Sequence, residues 1–266
     1  MNKILCSVEI LTRNSAATLT RCLESVKDFD DVMVVDGGST DATREIAERA
    51  GVRLISQHDV QHEDQPIEDF AAVRNRGLAA ARHKWFLYVD SDEHVSKEAA
   101  EEIRAITERE HPEAFVWRMR RVYTLEGVLI SCSLGYPNMQ TRFFHKDHVR
   151  GFIKAVHERI EPAPRERVQI LHHPTYVPLL PVAELRAKAD RYIAIEGSRL
   201  AGLARVVLAR KILHTLGVIA RNIVHIRKVI LCGGMRLPFI YEWLRFEYHL
   251  KLLGVLAERF FLPKQK

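Results

Sequence analysis

No Cys-x-x-Cys pair occurs in this chain, and its four cysteines, Cys6, Cys22, Cys132 and Cys232, are widely scattered. That pattern argues against a zinc site and predicts reduced thiols in a cytoplasmic protein rather than disulfides. No uncharged apolar run is long enough to cross a bilayer. The first residues, Met1 to Cys6, run into a strand pattern without a basic start, an apolar core and a small-residue cleavage site, so secretion is not expected. Gly-x-Gly-x-x-Gly is missing after the first apolar segment, where Thr12-Arg13-Asn14-Ser15 stands instead, which argues against a nicotinamide enzyme.

Acid is missing from one long interval. Between Glu196 and Glu242 there is no Asp or Glu, but there are eight cations: Arg199, Arg205, Arg210, Lys211, Arg221, Arg227, Lys228 and Arg236. The formal charge of the whole chain is +6, so the remainder is slightly acidic and the basicity belongs to the C-terminal part. With 266 residues, 47% of them hydrophobic, the chain can bury one large core or one domain plus an appendage.

What is present centres on Trp85-Phe86-Leu87-Tyr88-Val89-Asp90-Ser91-Asp92-Glu93. Five apolar residues read as a strand buried on both faces, and three carboxylates follow at once. Unpaired acids cannot sit inside a buried strand, so they belong where it leaves the sheet, at the carboxyl edge where open α/β sheets bind ligands. Two Asp residues one apart suit a divalent cation, Mg²⁺ or Mn²⁺, shared with substrate phosphates. A turn that merely caps the next helix is the plainer alternative. An Asp-nucleophile phosphohydrolase is disfavoured, because such a pair normally follows the first strand and His94 stands where a small or β-branched residue is expected.

In chain order, Lys3 to Leu11 and Asp31 to Val35 read as strands, the second ending at Asp36-Gly37-Gly38-Ser39-Thr40-Asp41. Ser15 is a candidate cap for a helix through Leu19, Cys22, Leu23 and Val26, and Ser39 or Thr40 for the helix carrying Ile46, Ala47 and Ala50. Val52 to Ile55 is a third strand, Gln57 to Gln65 a polar loop, and Ile67 to Arg82 a helix. A helix from Ser96 to about Glu110 precedes an antiparallel pair, Phe115 to Tyr123 and Val128 to Cys132. Thr141 to Phe144 and Lys154 to Ile160 read as short strands, and from Val182 onward the pattern is helical. Strands alternating with helices predict a doubly wound, mostly parallel α/β sheet with a short antiparallel part. The expected division is a catalytic domain over 1–180 and a helical, basic extension over 181–266.

Three ordered motifs then carry a family resemblance. Val34-Val35-Asp36-Gly37-Gly38-Ser39-Thr40-Asp41-Ala42-Thr43 resembles the nucleotide-binding turn of the inverting family 2 glycosyltransferases. Ala72-Val73-Arg74-Asn75-Arg76-Gly77-Leu78 and Phe86 to Glu93 resemble that family's Arg-Asn-x-Gly helix and Asp-x-Asp strand. Gly37 departs from the pattern, since many members carry a second Asp there. The resemblance covers roughly residues 3–160 and implies the GT-A fold with a nucleoside-diphosphate sugar as donor, a UDP-sugar being the expected one. It implies that Asp36 binds the nucleobase and that Thr12 and Arg74 belong to the donor site, a solvated helix arginine being the alternative for Arg74. Asp90 would face the ribose and a metal-bound water, and Asp92 would bind the metal directly. Glu93 would orient acceptor hydroxyls or serve as a helix-start carboxylate.

Gln140-Thr141-Arg142-Phe143-Phe144 and Lys154-Ala155-Val156-His157-Glu158 further resemble the lipopolysaccharide-core branch of the family. That branch implies a lipid-linked glycan acceptor. An inverting hexosyl transfer needs a carboxylate to take the acceptor proton, and Glu158 is the candidate base. Its alternative is a structural Glu paired with Arg142 or Arg159. Arg142 and His157 are candidate acceptor-side residues, His157 as a hydrogen-bonding neighbour rather than a third metal ligand.

In Arg205 to Leu231, Leu208, Ile212, Leu216, Ile219, Ile223, Ile226 and Ile230 recur at helical steps, while Arg210, Lys211, His214, Arg221, His225 and Lys228 fall on the other side. Such a helix suits an anionic membrane surface, with Arg210, Lys211, Arg221 and Lys228 as contacts, and places the protein at the inner face of the cytoplasmic membrane. Packing on the catalytic domain is the alternative. No nucleic-acid motif accompanies the basic stripe. The rival for the chain as a whole is a non-catalytic nucleotide-sugar-binding or membrane scaffold protein.

Overall fold

The continuous apolar runs found in the sequence become the central strands because each has a buried layer on both sides. A computed structural model describes residues 2–57, 69–155, 158–200 and 202–261. The polar stretch expected as a loop lies largely outside these residues, as does His157. Among the described residues the chain divides into two compact units.

The larger unit comprises 1–124 and 137–178. Its elements begin with β1 (Ile4–Thr12), α1 (Ala16–Ser25), β2 (Phe29–Asp36), α2 (Thr43–Arg49), β3 (Arg53–Ser56), α3 (Phe70–Ala80) and β4 (Trp85–Asp90). Then come β5 (His94–Val95), α4 (Lys97–Thr107), β6 (Val116–Leu125), β7 (Val128–Leu129), which falls in the smaller unit, and β8 (Met139–His145). β9 (Val149–Ile153), β10 (Arg159–Pro162), β11 (Val168–Ile170) and β12 (Thr175–Pro178) complete it. The sheet runs β3-β2-β1-β4-β8-β6-β12-β5. Its first four strands are parallel, β8 is antiparallel to both β4 and β6, and β9 pairs with β10 in a separate ribbon. This is the mixed, mainly parallel α/β sheet that the sequence predicts.

Side chains alternate across a strand, and that alternation sorts the core. Ile4, Cys6, Val8 and Ile10 of β1 and Leu87 and Val89 of β4 face one buried layer, which also takes Leu19, Cys22 and Leu23 of α1 and Ile103 of α4. Phe86 and Tyr88 of β4 face the other layer with Ala71 and Val73 of α3 and Phe152 of β9. The odd positions of β1 therefore place Glu9 beside Tyr88, its register partner in β4, on the α3 side of the sheet.

Several local expectations are corrected. Of the strand expected over Lys154 to Ile160, Arg159 and Ile160 belong to β10, whereas Lys154, at φ +71°, stands outside any strand. Ser39 and Thr40 do not cap α2. Asp41 accepts from Thr43 N at 3.0 Å there, and Ser39 is committed to Asp36. Ser15 precedes α1 without a side-chain cap bond, its hydroxyl meeting Ser91 Oγ at 2.9 Å. Asp69 and Ser96 do cap α3 and α4, accepting from Ala72 N and Ala99 N at 3.0 and 3.1 Å.

The smaller unit comprises 125–136 and 179–266. It contains α5 (Val182–Arg199), α6 (Arg205–Ile230) and α7 (Phe239–Phe261), with Leu200, Leu208 and Leu256 at its core. Arg186 holds Glu247 through Nε and Nη2 at 2.9 and 3.0 Å. Cys132 and Cys232 form a disulfide, with Cα atoms 6.2 Å apart. This overturns the expectation of four reduced thiols, although Cys6 and Cys22 are free and buried. Sequence spacing hides the pair because its partners are brought together by backbone bonds: Ser131 N and Cys132 N donate to Met235 O, and Leu237 N donates to Cys132 O. The cysteine pattern thus no longer argues for a reducing compartment. No helix among the described residues is long and apolar enough to cross a membrane.

Candidate active site

Parallel register brings the strand ends together. Thr12 stands opposite Asp36 across β1 and β2, and Leu11 opposite Asp90 across β1 and β4. The acids that follow separate segments of sequence therefore share one edge of one sheet.

At Asp36 the carboxylate is held on three sides. Thr12 Oγ1 donates to Oδ1 at 2.9 Å, Ser39 Oγ donates to the same oxygen at 2.5 Å, and Ser39 N donates to Oδ2 at 3.0 Å. Gln57 braces this turn from below, its amide donating to Thr12 O and Val35 O at 3.2 and 3.0 Å. Gly37 is the residue that departs from the family pattern, and the contact explains part of its smallness. A Cβ there would stand 2.6 Å from Gln57 Oε1.

At the end of β4 the acids meet arginines. Arg74 Nη2 donates to Asp90 Oδ1 at 2.6 Å, and Arg142 Nη2 donates to Asp90 Oδ2 at 2.9 Å and to Glu93 Oε1 at 3.1 Å. Arg121 also bonds Glu93. The guanidiniums of Arg74 and Arg142 lie over the Tyr88 ring, 4.8 and 4.5 Å from its centroid. Burial alone would raise the Asp90 pKa, but the charges of Arg142 and Arg74 outweigh it and hold the carboxyl well below the ordinary range. Glu93 is buried more completely, and burial prevails over Arg142 and Arg121, pushing its carboxyl up to about 7.

Arg74 is 1% exposed. That excludes the solvated helix arginine and makes Arg74 the hub of the site. Besides Asp90 it reaches Glu9 Oε2 at 3.1 Å and Glu158 Oε1 at 3.5 Å. The partner of Glu158 is therefore Arg74, not Arg142 or Arg159 as the structural alternative had it. Glu93 likewise does not start a helix. Ser96 caps α4, and Glu93 is sealed beneath Arg121 and Arg142.

Three participants escaped the sequence reading. Glu9 is an acid inside an otherwise apolar strand, a signal that a helix must bring it a cation. Arg121 lies in a strand with Arg118 and Arg120, and only its facing singles it out. Asn75, in the Arg-Asn-x-Gly segment, accepts from Phe152 N at 2.7 Å and donates to Phe152 O at 2.9 Å, pinning α3 to β9. A Cβ at Gly77 would collide with Glu9, so the glycine lets α3 come down on β1.

Asp90, Asp92 and Glu93 can each present an oxygen within 4.8 Å of the others. All three are hard carboxylate donors, and Glu93 Oε2 is buried without a hydrogen-bond partner. This donor set fits a divalent cation of the Mg²⁺ or Mn²⁺ type. Asp90 would have to share its oxygens with Arg74 and Arg142.

The chain is similar to several known proteins. The model of the family described as glycosyl transferase family 2 matches residues 7–158. A TPR repeat-containing protein of Synechococcus elongatus is 35% identical over 156 residues, covering 58% of this chain and 35% of that protein. An uncharacterized glycosyltransferase of Rickettsia felis is 36% identical over 107 residues, covering 40% and 34%. The chain spans about a third of the length of such curated relatives. Among solved structures, S. aureus TarS in complex with UDP-GlcNAc superposes with a TM-score of 0.49 at 17% identity, covering 97% of this chain and 81% of that one.

Proposed function

The chain belongs to glycosyl transferase family 2, and on that premise we propose that it transfers a hexosyl group from a nucleoside-diphosphate sugar, with UDP as the nucleotide, to an acceptor hydroxyl with inversion. The observation that carries this reading is that Asp36 and Asp90 end strands on either side of β1 at one sheet edge, and that Arg74 reaches both Asp90 and Glu158 there. Asp36, oriented by Thr12 and Ser39, is placed to accept from a nucleobase N–H. Asp90, ionised under its arginines, faces the ribose and diphosphate.

Asp90, Asp92 and Glu93 would hold a divalent cation. When bound, it supplies Lewis-acid neutralisation of the departing diphosphate. Glu158 receives the acceptor proton as the hydroxyl oxygen bonds the anomeric carbon and the bond to the diphosphate oxygen breaks. Arg74 holds the Glu158 carboxylate in place. Arg142 and Glu93 stand toward the acceptor side.

The acceptor, on this reading, is a lipid-linked glycan such as lipopolysaccharide core. The catalytic part spans 1–180, and the helices beyond it meet an anionic membrane through Arg210, Lys211, Arg221 and Lys228, all exposed. The basic composition of that interval supports the reading. The decisive experiment is Asp92→Asn assayed for Mn²⁺-dependent UDP-sugar binding and turnover. Loss of metal-dependent binding with turnover lower by roughly 10² or more is expected. Retained activity with undiminished metal dependence would remove Asp92 from the metal site, and a wild-type protein that turns over no nucleotide sugar would favour the non-catalytic scaffold.

A further inference from the structure

Helix α6 has two apolar sides. One, through Leu208 and Ile212, packs with Leu252, Val255 and Leu256 of α7. The other is uncovered. Val206, Leu213, Val224 and Leu231, the last at the helix C-cap, are 64, 68, 54 and 83% exposed. Their spacings bring all four within about 20° of one line along a helix of 3.6 residues per turn. Gly217 and Ala220 lie on the same line, so no bulky polar side chain interrupts it. Arg210, Arg221 and Lys228 flank the line roughly 40–60° to one side, and Arg227 about 60° to the other. All four cations are exposed.

This arrangement differs from the one the sequence periodicity suggested. The expected apolar face is only partly buried, with Leu216, Ile223 and Ile230 exposed by 44, 57 and 59%. Arg210, Arg221, Arg227 and Lys228 stand along the rims of the exposed apolar line rather than opposite it, whereas Lys211, about 140° away, points to the other side and is not part of this face.

We propose that Val206, Leu213, Val224 and Leu231 form a ridge that enters the outer acyl region of an anionic bilayer, with α6 lying in the membrane plane. The inference deepens the membrane part of the proposed function and rests on it. The ridge is about 37 Å long at 1.5 Å per residue, which suits a helix lying flat. Arg210, Arg221, Arg227 and Lys228 then stand at headgroup level, where anionic phosphates meet them. Charge selects this occupant over the alternatives. Pairing two copies along the ridge would oppose like charges, and the interval from Gly197 to Tyr241 has no acid to offset them. A nucleic-acid backbone would satisfy the cations but leave the apolar ridge in water.

The test is co-sedimentation of the full chain with phosphatidylcholine vesicles, with and without phosphatidylserine, at low and high salt. Four exposed residues are exchanged together: Val206→Ser, Leu213→Ser, Val224→Ser and Leu231→Ser. Wild type is expected to bind the phosphatidylserine vesicles, and the ridge variant to partition about tenfold less or weaker still, as removal of buried apolar area requires. Leu213→Trp provides an independent readout: its fluorescence should be quenched by brominated lipid beyond the wild-type level. If wild type binds and the ridge variant binds equally well, the ridge is overturned while the basic-surface reading stands. If wild type ignores phosphatidylserine vesicles at low salt, both fail, whereas turnover with a soluble acceptor still reports the catalytic reading separately. A lipid-free dimer that the ridge substitutions dissociate would overturn the proposal in favour of self-pairing.

Discussion

Arg74 Nη1 donates to Glu9 Oε2 across 3.1 Å, and neither side chain is more than 1% exposed. The pair is enclosed by the sheet and α3. Its worth lies less in net attraction than in the cost of breaking it, since a lone charge left in the interior is strongly unfavourable. Arg74→Met should therefore destabilise the protein by about 3–5 kcal/mol, because it strands Glu9 and removes a partner from Asp90 and Glu158. The double variant Glu9→Gln with Arg74→Met should lose less than the sum of the singles, a coupling read from urea unfolding midpoints. Additive losses would show that the pair contributes nothing as a pair.

Glu9 also makes a pH prediction. Burial pushes its carboxyl up from 4.5 to about 7, with Arg74 pulling the other way. A folded pKa above the unfolded one means that the folded state holds the proton more tightly. The contribution to stability is full below about 4.5 and is lost as the pH rises through about 7. Its size is on the order of 3 kcal/mol for a shift of this extent. Urea unfolding of metal-free protein in chelator should show stability falling across that window, with a flatter profile for Glu9→Gln. An unchanged slope in the variant would assign the effect to another group.

For Glu158 the expectation separates binding from chemistry. Glu158→Gln should leave donor affinity near the wild-type value and reduce transfer by roughly 10² to 10⁴. Donor affinity is measured by calorimetry and transfer by product formation. If transfer stays within a few-fold, Glu158 is a structural partner of Arg74 and a different carboxylate takes the proton.

The disulfide is tested by Cys132→Ser with Cys232→Ser. The bond closes a loop of 100 residues in sequence separation, so its loss should cost ~2–5 kcal/mol under oxidising conditions. Reductant should lower the melting temperature of wild type and leave the variant unchanged. Peptide mapping without reduction should recover the linked pair.

The α/β class of the fold was legible because strand and helix periodicities are local. Phe86 to Val89 is apolar at every position, so it had to be buried on both sides, and Asp90 had to fall where burial ends. Asp36 and the Asp-x-Asp segment could be brought together on paper because parallel strands present their ends along one edge. The presence of α1, α3 and α4 followed from apolar spacing and the start of α4 from Ser96, but α3 is capped by Asp69 and ends at Ala80, short of the expected Arg82.

Other features depended on which residues face each other. One-residue alternation in β1 turns Glu9 toward α3, and only the descent of α3 through Gly77 supplies Arg74 to meet it. Arg74, Arg121 and Arg142 arrive from a helix and two strands, so no spacing predicts their convergence on Asp90 and Glu93. The Cys132–Cys232 bond joins segments whose contact is set by backbone bonds around Met235. In α6 the heptad-like spacing was visible, but periodicity cannot tell which of two apolar lines a neighbouring helix covers. The sequence by itself determined the strands, the acids at their ends and the basic C-terminal interval, because these follow from local composition and period. Tertiary structure alone decided the arginine partners, the disulfide and the exposed ridge, because each is a relation between surfaces distant along the chain.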